Sequence, residues 1–272
     1  MSYILYHPVG GPSAKALAVF MGMNARMNPI NDQPDWLIRW GSSKSVPFKG
    51  TQGTLNWASS LGAYKNRLAQ LRILREGGVN VPLFCGNSLD GPFNLLQPSD
   101  GIISRDFPKN GQNTGGDGIQ FHDKDSGFVA WPIAIHDMYM VFIPKERQFR
   151  VHVIRGQTRV REVMPDPQDE HWTPADSTPI WNLSTGFTYR VPQFPIPATV
   201  VPSAVQAVAA LKLDFGAVDV ITIGPKSWVL EVNTAPGLHE TTLKWYAEKF
   251  ACIMGVDPTT QPGQEELITC QP

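Results

Sequence analysis

The chain has 272 residues, of which 42% are hydrophobic and 17% charged, and its formal net charge is −1. This composition is typical of a globular protein, with no bulk basic field for nucleic acid and no acidic tail. Three separated cysteines without a CxxC pair favour reduced thiols over a disulfide framework or a zinc site. Because no signal peptide and no apolar run of about 18 residues is present, we expect a soluble cytoplasmic protein without a membrane partner.

The N-terminal third alternates predicted strands with predicted helices. Ser13 is the expected N-cap of the first helix, and Gly77–Gly78 is the expected end of the second. This alternation predicts an α/β fold for the region. The predicted elements are strands at 3–7, 35–41 and 79–85 and helices at 14–23 and 55–78.

From residue 101 the pattern changes to β. Residues 148–154 alternate apolar and polar side chains, as a half-buried strand does. A hairpin is expected near residues 217–233, and residues 164–202 receive no assignment. The other predicted elements are strands at 101–107, 119–122 and 138–144 and helices at 202–214 and 239–255.

The hairpin carries an acid on each strand. Glu231 and Asn233 are two residues apart, so their side chains point to the same sheet face. Asp219 joins that face if three residues, 224–226, form the connection, because this register places Asp219 opposite Glu231. A two-residue connection would offset the two acids unless a bulge intervened.

Oxygen ligands on one face of a hairpin suit a hard cation. Two carboxylates and an amide oxygen are ligands that Mg²⁺ accepts together with phosphate oxygens. The sequence therefore predicts a metal site at Asp219, Glu231 and Asn233. The alternative is that both acids are only the solvent-facing positions of an edge hairpin.

Residues 213–240, LDFGAVDVITIGPKSWVLEVNTAPGLHE, resemble the closing hairpin of the ATP-grasp superfamily. They are most similar to the branch of ribosomal-protein glutamate ligases and D-alanine–D-alanine ligases, and two other short segments look most like phage-encoded members. The resemblance implies that the same three residues hold two Mg²⁺ ions against ATP phosphates. It also implies an N-terminal α/β domain at 1–85, followed by α+β subdomains at 86–144 and 145–272 that clamp the nucleotide.

Residues 103–121 resemble the strand, phosphate-covering loop and strand of that superfamily. In the loop, residues 111–118, backbone N–H groups would cradle anionic oxygens, and glycine permits a close approach. Arg105 stands where the superfamily usually has a lysine, and Arg67 matches a second nucleotide-contacting lysine, with Lys65 as a nearby substitute. The loop glycines expected to meet phosphate are Gly115, Gly116 and Gly118.

Residues 141–154 resemble the superfamily's hinge and the strand after it. The resemblance implies that the backbone of Phe142 and Ile143 meets the adenine. Gln148 takes the place of the usual ribose-binding acid, for which Glu146 could compensate, and Arg150 matches an arginine near phosphate or the acyl phosphate.

Further positions remain open to a structural or a functional interpretation. Asn182 matches an element of the phosphate or substrate pocket, and we include it with Arg105 and Arg150 among the candidate catalytic residues. His152, and His239 with Glu240 after the Pro-Gly break, point toward an acceptor pocket. Each of these acceptor candidates has a structural or merely exposed position as its alternative.

The resemblance implies an ATP-dependent carboxylate–amine ligase that uses ATP and Mg²⁺ and proceeds through an acyl phosphate. Its partners would be a carboxylate substrate and an amine acceptor, and either could be a small molecule, a peptide or a protein. Relatives are often homo-oligomers. One alternative is a nucleotide-binding module without turnover, which the two lysine-to-arginine replacements and Gln148 favour. The other is a kinase-like phosphoryl transferase, because fold does not fix function.

Overall fold

The computed structural model describes residues 3–6, 11–26, 34–41, 50–57, 59–60, 67–86, 101–106, 119–122, 136–172 and 179–256. Its strands form three sheets, so the chain is mixed α/β. None of the helices in these ranges combines the length and the apolar character that crossing a membrane requires.

The first sheet is parallel and has the strand order β2-β1-β3-β4. Leu5, Ile38 and Leu55 are fully buried in one core with α1 and with α4, whose Tyr246 and Phe250 complete it. The last described helix therefore stabilises the first sheet. The elements are β1 (Tyr3–Tyr6), α1 (Pro12–Phe20), β2 (Asn24–Arg26), β3 (Trp36–Arg39), β4 (Gly53–Leu55) and α4 (Glu240–Met254).

The start of α1 differs from the prediction. Gly11 is the N-cap and Pro12 opens the helix, since proline at the first helical position has no N–H to leave unsatisfied. The hydroxyl of Ser13 instead accepts a hydrogen bond from the backbone N–H of Leu238 at 2.8 Å. A residue predicted as a local cap thus ties α1 to the segment that follows the hairpin.

The elements between 50 and 86 also differ from the prediction. Leu55 lies in β4 rather than in a helix, and within the predicted 55–78 helix the described helical residues are 59–60 and α2, Arg67–Glu76. The strand expected at 79–85 is only β5, Phe84–Gly86. The three-residue strands β2 and β4 were not predicted, because so short a segment shows no periodicity.

The second sheet is antiparallel, with the order β5-β8-β6-β7. It confirms the strands predicted near 101–107, 119–122 and 138–144. Beyond β8, the Phe142 N–H donates to Gly101 O at 3.1 Å, and the chain passes into the third sheet. The new elements are β6 (Ile102–Arg105), β7 (Ile119–His122) and β8 (Met138–Val141).

The third sheet is antiparallel and has the order β11-β10-β9-β12-β13. The predicted strand at 148–154, the hairpin and the helix near 202–214 are all present, whereas β10 and β11 were not predicted. The elements are β9 (Arg147–Ile154), β10 (Gln157–Pro165), β11 (Phe187–Arg190), α3 (Val200–Ala210), β12 (Phe215–Ile223) and β13 (Lys226–Asn233).

Side-chain alternation gives this sheet one apolar and one polar face. The apolar face packs against α3 and α2 through fully buried side chains such as Phe149, Val151 and Val220. On the other face, the same strands present Arg150 and Asp219. The apolar face therefore fixes the sheet while the polar face remains available for chemistry.

Asn56 connects the first sheet to the third. Its side-chain oxygen accepts hydrogen bonds from the N–H groups of Asp214 and Phe215, and its amide donates to Phe215 O at 3.0 Å. Its backbone N–H donates to the Asp214 carboxylate at 2.8 Å. Asn56 is fully buried at a φ of 58°, a conformation that asparagine tolerates better than most residues.

We expect Asn56→Gly to lower the free energy of unfolding by about 3 kcal/mol, because buried backbone groups of β12 lose their partners while glycine keeps the positive φ. Urea unfolding measures the change. The exposed Gln157→Ala is the control and should stay within about 0.5 kcal/mol of the wild type. Equal stability of all three proteins would show that Asn56 does not hold the two sheets together.

Candidate functional site

The connection between β12 and β13 has two residues, Gly224 and Pro225, since Ile223 pairs with Lys226. Of the two connections that the sequence left open, the structure therefore has the two-residue one. Gly224 has a φ of 52°, which favours glycine at the first position of such a turn. A regular ladder from this turn would place Asp219 opposite Leu230 and turn Glu231 toward the core.

A β-bulge restores the register that the site needs. Val220 pairs with Val229, but Asp219 pairs with Glu231, so Leu230 is the extra residue. The bulge shifts the rest of β13 by one position and brings Glu231 to the face of Asp219. The two acids therefore lie opposite each other, as the sequence analysis required.

Asp219 is the centre of a row that crosses three strands. It faces Glu231 on β13 and Arg150 on β9. Arg150 donates from Nε and Nη2 to the two carboxylate oxygens of Asp219 at 2.7 and 2.8 Å. Such a bidentate pair holds both side chains in one geometry.

Helix α2 brings a second arginine to the row. The Gln70 amide donates to Val232 O and accepts from Val232 N–H, both at 2.9 Å, which docks the helix against the β13 edge. Arg67, one helical turn earlier, forms an ion pair with Glu231. Arg105 from β6 places Nη1 4.0 Å from the same carboxylate.

Burial and mutual repulsion tune these guanidinium groups. Burial, and then the charge of Arg105, lower the pKa of Arg67 to about 9, which still leaves it charged at neutral pH. Burial also lowers the pKa of Arg105. Burial opposes the charge of Arg150, but Asp219 outweighs it and raises the pKa of Arg150 above its usual range.

Asn233 lies on the same face as Glu231, opposite Ala217. Its side-chain oxygen accepts the Ala235 N–H at 3.0 Å, which fixes the amide at the start of the turn after β13. Two carboxylates and one amide oxygen form an all-oxygen set, and each oxygen keeps a lone pair beyond the bonds described. The chemistry of this set fits Mg²⁺; within the described ranges, no cluster of three histidine, cysteine or acidic residues offers another metal site.

The hinge residues Phe142, Ile143 and Glu146 lie between β8 of the second sheet and β9 of the third. The Glu146 carboxylate accepts the Gly224 N–H at 2.9 Å, and the Glu146 N–H donates to Thr222 O. Glu146 therefore holds the tip of the β12–β13 hairpin. Gln148, which is 7% exposed, donates to Trp181 O at 3.3 Å. The adenine and ribose roles of Phe142, Ile143, Glu146 and Gln148 stay predictions.

Asn182 precedes a short 3₁₀ turn, Leu183–Thr185, and its side-chain oxygen accepts the Ser184 hydroxyl at 2.7 Å. This bond orders the loop, and a pocket role for Asn182 stays a prediction. Beside it lies Lys145, which the sequence analysis did not single out. Lys145 donates to Pro179 O at 2.7 Å and lies 4.5 Å from the Trp181 ring, and burial lowers its pKa to about 8.

His152 is 3% exposed and its Nδ1 lies 3.2 Å from the Tyr246 hydroxyl. Burial, and then Arg150, lower its pKa to about 3, so the ring is neutral above that pH. These contacts favour the structural interpretation of His152. His239 and Glu240 are exposed where α4 begins.

Three residues of this face were missed by the sequence analysis: Arg159, Arg161 and Tyr189. The Arg150 guanidinium lies 4.4 Å from the Tyr189 ring, and burial, followed by Asp219, raises the pKa of Tyr189. Arg159 and Arg161 alternate with Val160 on β10. That alternation is the sequence signal from which β10 could have been predicted. Among the predicted residues, Lys65 and the loop glycines Gly115, Gly116 and Gly118 lie outside the described residues.

We expect the buried His152 to make folding sensitive to acid. Its folded pKa, about 3, is below the value of about 6.5 in the unfolded chain, so the unfolded state binds the proton first and stability falls as the pH drops below 6.5. The loss attributable to this residue at pH 5 is about 2 kcal/mol. Urea unfolding of the wild type and His152→Gln at pH 7.5 and pH 5 measures it. Identical losses in both proteins would contradict the assignment.

The fold is similar to those of solved ATP-grasp ligases. D-alanine–D-alanine ligase from Bacillus anthracis matches with a TM-score of 0.61 at 14% identity, covering 98% of this chain and 99% of that one. The ATP-grasp ligase PsnB, complexed with a minimal precursor, Mg and ADP, matches with a TM-score of 0.63 at 10% identity, covering 93% and 97%.

A third similar structure is a RiPP-associated ATP-grasp ligase from Chryseobacterium gregarium, in complex with ADP and a leader and core peptide. It matches with a TM-score of 0.60 at 12% identity, covering 94% of this chain and 97% of that one. No protein-family model and no curated protein sequence matches the chain. At these identities the likeness establishes the ATP-grasp fold.

Proposed function

We propose that this chain, which has the ATP-grasp fold, is an ATP-dependent carboxylate–amine ligase that acts through an acyl phosphate. The observation that carries the proposal is the row Arg150–Asp219–Glu231, which α2 and β6 complete with Arg67 and Arg105. Four separate parts of the chain thus bring complementary charges to one sheet face. If Asp219 and Glu231 were only the solvent-facing positions of an edge hairpin, none of these contacts would be needed.

The charges of this site suit a polyphosphate. Three guanidinium groups face two carboxylates, which leaves a net positive charge before any ligand binds. Arginine binds phosphate oxygens bidentately, and its pairs with Asp219 and Glu231 keep the guanidiniums in position. When phosphates take over some of these donors, the carboxylates become available to a cation. The exchange of partners lets the site bind both charges of a metal–nucleotide complex.

Asp219, Glu231 and Asn233 would hold Mg²⁺, which would neutralise phosphate oxygens when bound. Arg150 and Arg105 would orient the transferring phosphoryl group and stabilise its developing charge. The lysines that the resemblance leads one to expect are replaced, but Arg67 and Arg105 still deliver positive charge to Glu231. Replacement has therefore changed the donor geometry while preserving the charge at both positions.

Other parts of the chain would bind the rest of the nucleotide. We assign the adenine to the Phe142–Ile143 hinge and the ribose to Gln148 or Glu146. Asn182 would contact phosphate or substrate, and the loop 111–118 would exclude water from the intermediate. The clamp would be built from an N-terminal domain and the two subdomains that meet near residue 144.

For the substrates, the fold neighbours include a D-alanine–D-alanine ligase and ligases solved with a minimal precursor or with a leader and core peptide. We propose a carboxylate donor and an amine acceptor, of which either could belong to a peptide. The segment after Pro236–Gly237, where His239 is exposed two residues before Thr241, which contacts Arg161 of β10, is the proposed approach of the acceptor.

One observation favours the second candidate, a nucleotide-binding module without turnover. Arg150 occupies both oxygens of Asp219, and Arg67 pairs with Glu231. If nucleotide binding left these pairs intact, the carboxylates would bind no metal and ATP would persist. Metal-dependent turnover decides between the two functions.

We expect Glu231→Gln to reduce Mg²⁺-dependent ATP turnover by at least about 100-fold, because the amide keeps the shape but loses the charge that a metal requires. Calorimetric titration of Mg²⁺–nucleotide and an ADP-release assay measure the effect. Glu248→Gln, an exposed acid on α4, is the matched control and should behave like the wild type. Unchanged turnover in Glu231→Gln would rule out the metal assignment.

Hydroxylamine should trap the activated carboxylate. Incubation with ATP, Mg²⁺, hydroxylamine and a pool of carboxylic acids and acidic peptides is expected to yield a hydroxamate and ADP, because the acyl phosphate reacts with any accessible amine. Mass spectrometry identifies the acid. Tight ATP binding without ADP would favour the module, and a stable phosphorylated product would favour a kinase-like transferase.

A further inference from the structure

Two arginines on β10 lie beside the proposed active site. In the ladder between β9 and β10, Arg161 is opposite Arg150 and Arg159 is opposite His152. Cross-strand neighbours share a face, so both point toward the polar side of the third sheet. This side also carries the start of α4, where the Thr241 hydroxyl accepts a hydrogen bond from Arg161 Nη2 at 2.6 Å.

Neither arginine has a carboxylate partner among the described residues. Arg161 is 9% exposed, and burial, followed by the charge of Arg159, lowers its pKa. Arg159 is partly buried, and its Nε is a buried donor with no acceptor in the described part of the chain. Like charges placed together in a low dielectric cost free energy.

Two acids of the neighbouring strands are paired with other arginines. Both oxygens of Asp219 accept from Arg150, and Glu162, on the opposite face of β10, pairs with Arg147 at 2.6 Å. His152 is neutral and offers no negative charge. The arginine pair thus presents two positive charges and several unused N–H donors to a ligand, one strand away from Arg150.

We propose that Arg159 and Arg161 bind a second, non-reacting carboxylate of the ligase substrate, so that the substrate is at least a dicarboxylate. This inference rests on the proposed function. The reacting carboxylate attacks the phosphoryl group beside Arg150. A bidentate guanidinium contact to this carboxylate would reduce its nucleophilicity. The pair therefore suits the carboxylate that stays intact.

The spacing sets the size of the substrate. Neighbouring strands are about 4.8 Å apart, so the two carboxylates of the substrate should be separated by about 5 Å. Glutarate spans such a distance, and butyrate has a similar apolar chain with a single carboxylate. These two acids are matched probes of the second charge.

The test follows the arginine Nε–H signals of the ¹⁵N-labelled full chain by NMR while glutarate is added at constant ionic strength. We expect a saturable shift of the Arg159 signal, which Arg159→Lys identifies by its loss. Arg159→Gln and Arg161→Gln should weaken glutarate binding at least about tenfold, and Arg72→Gln, an exposed position on α2, should leave it unchanged. Butyrate or sulfate shifting the signal as strongly as glutarate would overturn the proposal.

An amidated peptide with two adjacent glutamates serves as the second probe. Saturable binding of either probe supports the subsite, and the tighter one tells whether the second carboxylate belongs to a peptide or to a free diacid. If neither binds, the proposal is wrong.

Binding of Mg²⁺–AMPPNP is measured on the same proteins and separates the two hypotheses. Arg159→Gln and Arg161→Gln should retain it within about twofold, because neither residue belongs to the proposed nucleotide site. Loss of glutarate binding with retained nucleotide binding supports the subsite. If the wild type binds nucleotide but neither glutarate nor the diglutamate peptide, the subsite is refuted and the proposed function is not. If the wild type does not bind nucleotide, the proposed function is refuted.

Discussion

The bulge at Leu230 is the constraint on which the polar face of the third sheet depends. The two-residue turn at Gly224 and Pro225 would by itself send Glu231 into the core, where an unpaired carboxylate would be expensive. One extra residue shifts the ladder and brings Glu231 and Asn233 to the face of Asp219. Gln70 then pairs with the backbone of Val232 and fixes the shifted strand from outside. The site is thus held by backbone hydrogen bonding as well as by its own charges.

The electrostatics of the site follow from that register. Once Asp219 and Glu231 are neighbours, their repulsion must be balanced, and Arg150 and Arg67 each pair with one of them. Burial and the charge of Arg105 still lower the pKa of Arg67, so an anionic ligand beside it is favourable. The same side chains can therefore stabilise the protein when no ligand is bound, and bind phosphate and metal when both are present.

The first sheet is tied to this face by three small contacts at the ends of its elements. Ser13 holds the Leu238 backbone, and Asn56 holds the start of β12. Gly41 has a φ of +71°, and a Cβ there would meet the Ala235 Cβ at 2.7 Å, so glycine permits the close approach of the turn after Asn233. The carboxyl ends of β3 and β4 thus lie beside the hairpin that carries the acids.

Several features could be predicted from the sequence because they depend on neighbouring residues. Alternation identified β9, and within the predicted hairpin the spacing of Glu231 and Asn233 established that they share a face. The ATP-grasp resemblance of this segment agrees with the fold. By contrast, β10 and β11 were not predicted, although Arg159 and Arg161 alternate with Val160 on β10; β11 is an edge strand of four residues, too short to show a clear period.

Residue type and a period of two are local properties, so the acids, the amide and the three candidate arginines could be identified from the sequence alone. That Leu230 is the bulged residue, that Arg67 pairs with Glu231 and that Arg161 lies opposite Arg150 is known only from the folded chain. The first and third depend on strand register, and the second on the docking of α2 against a strand more than a hundred residues later in the chain. Such contacts arise when distant segments compete for the same partners, and no single segment contains that information.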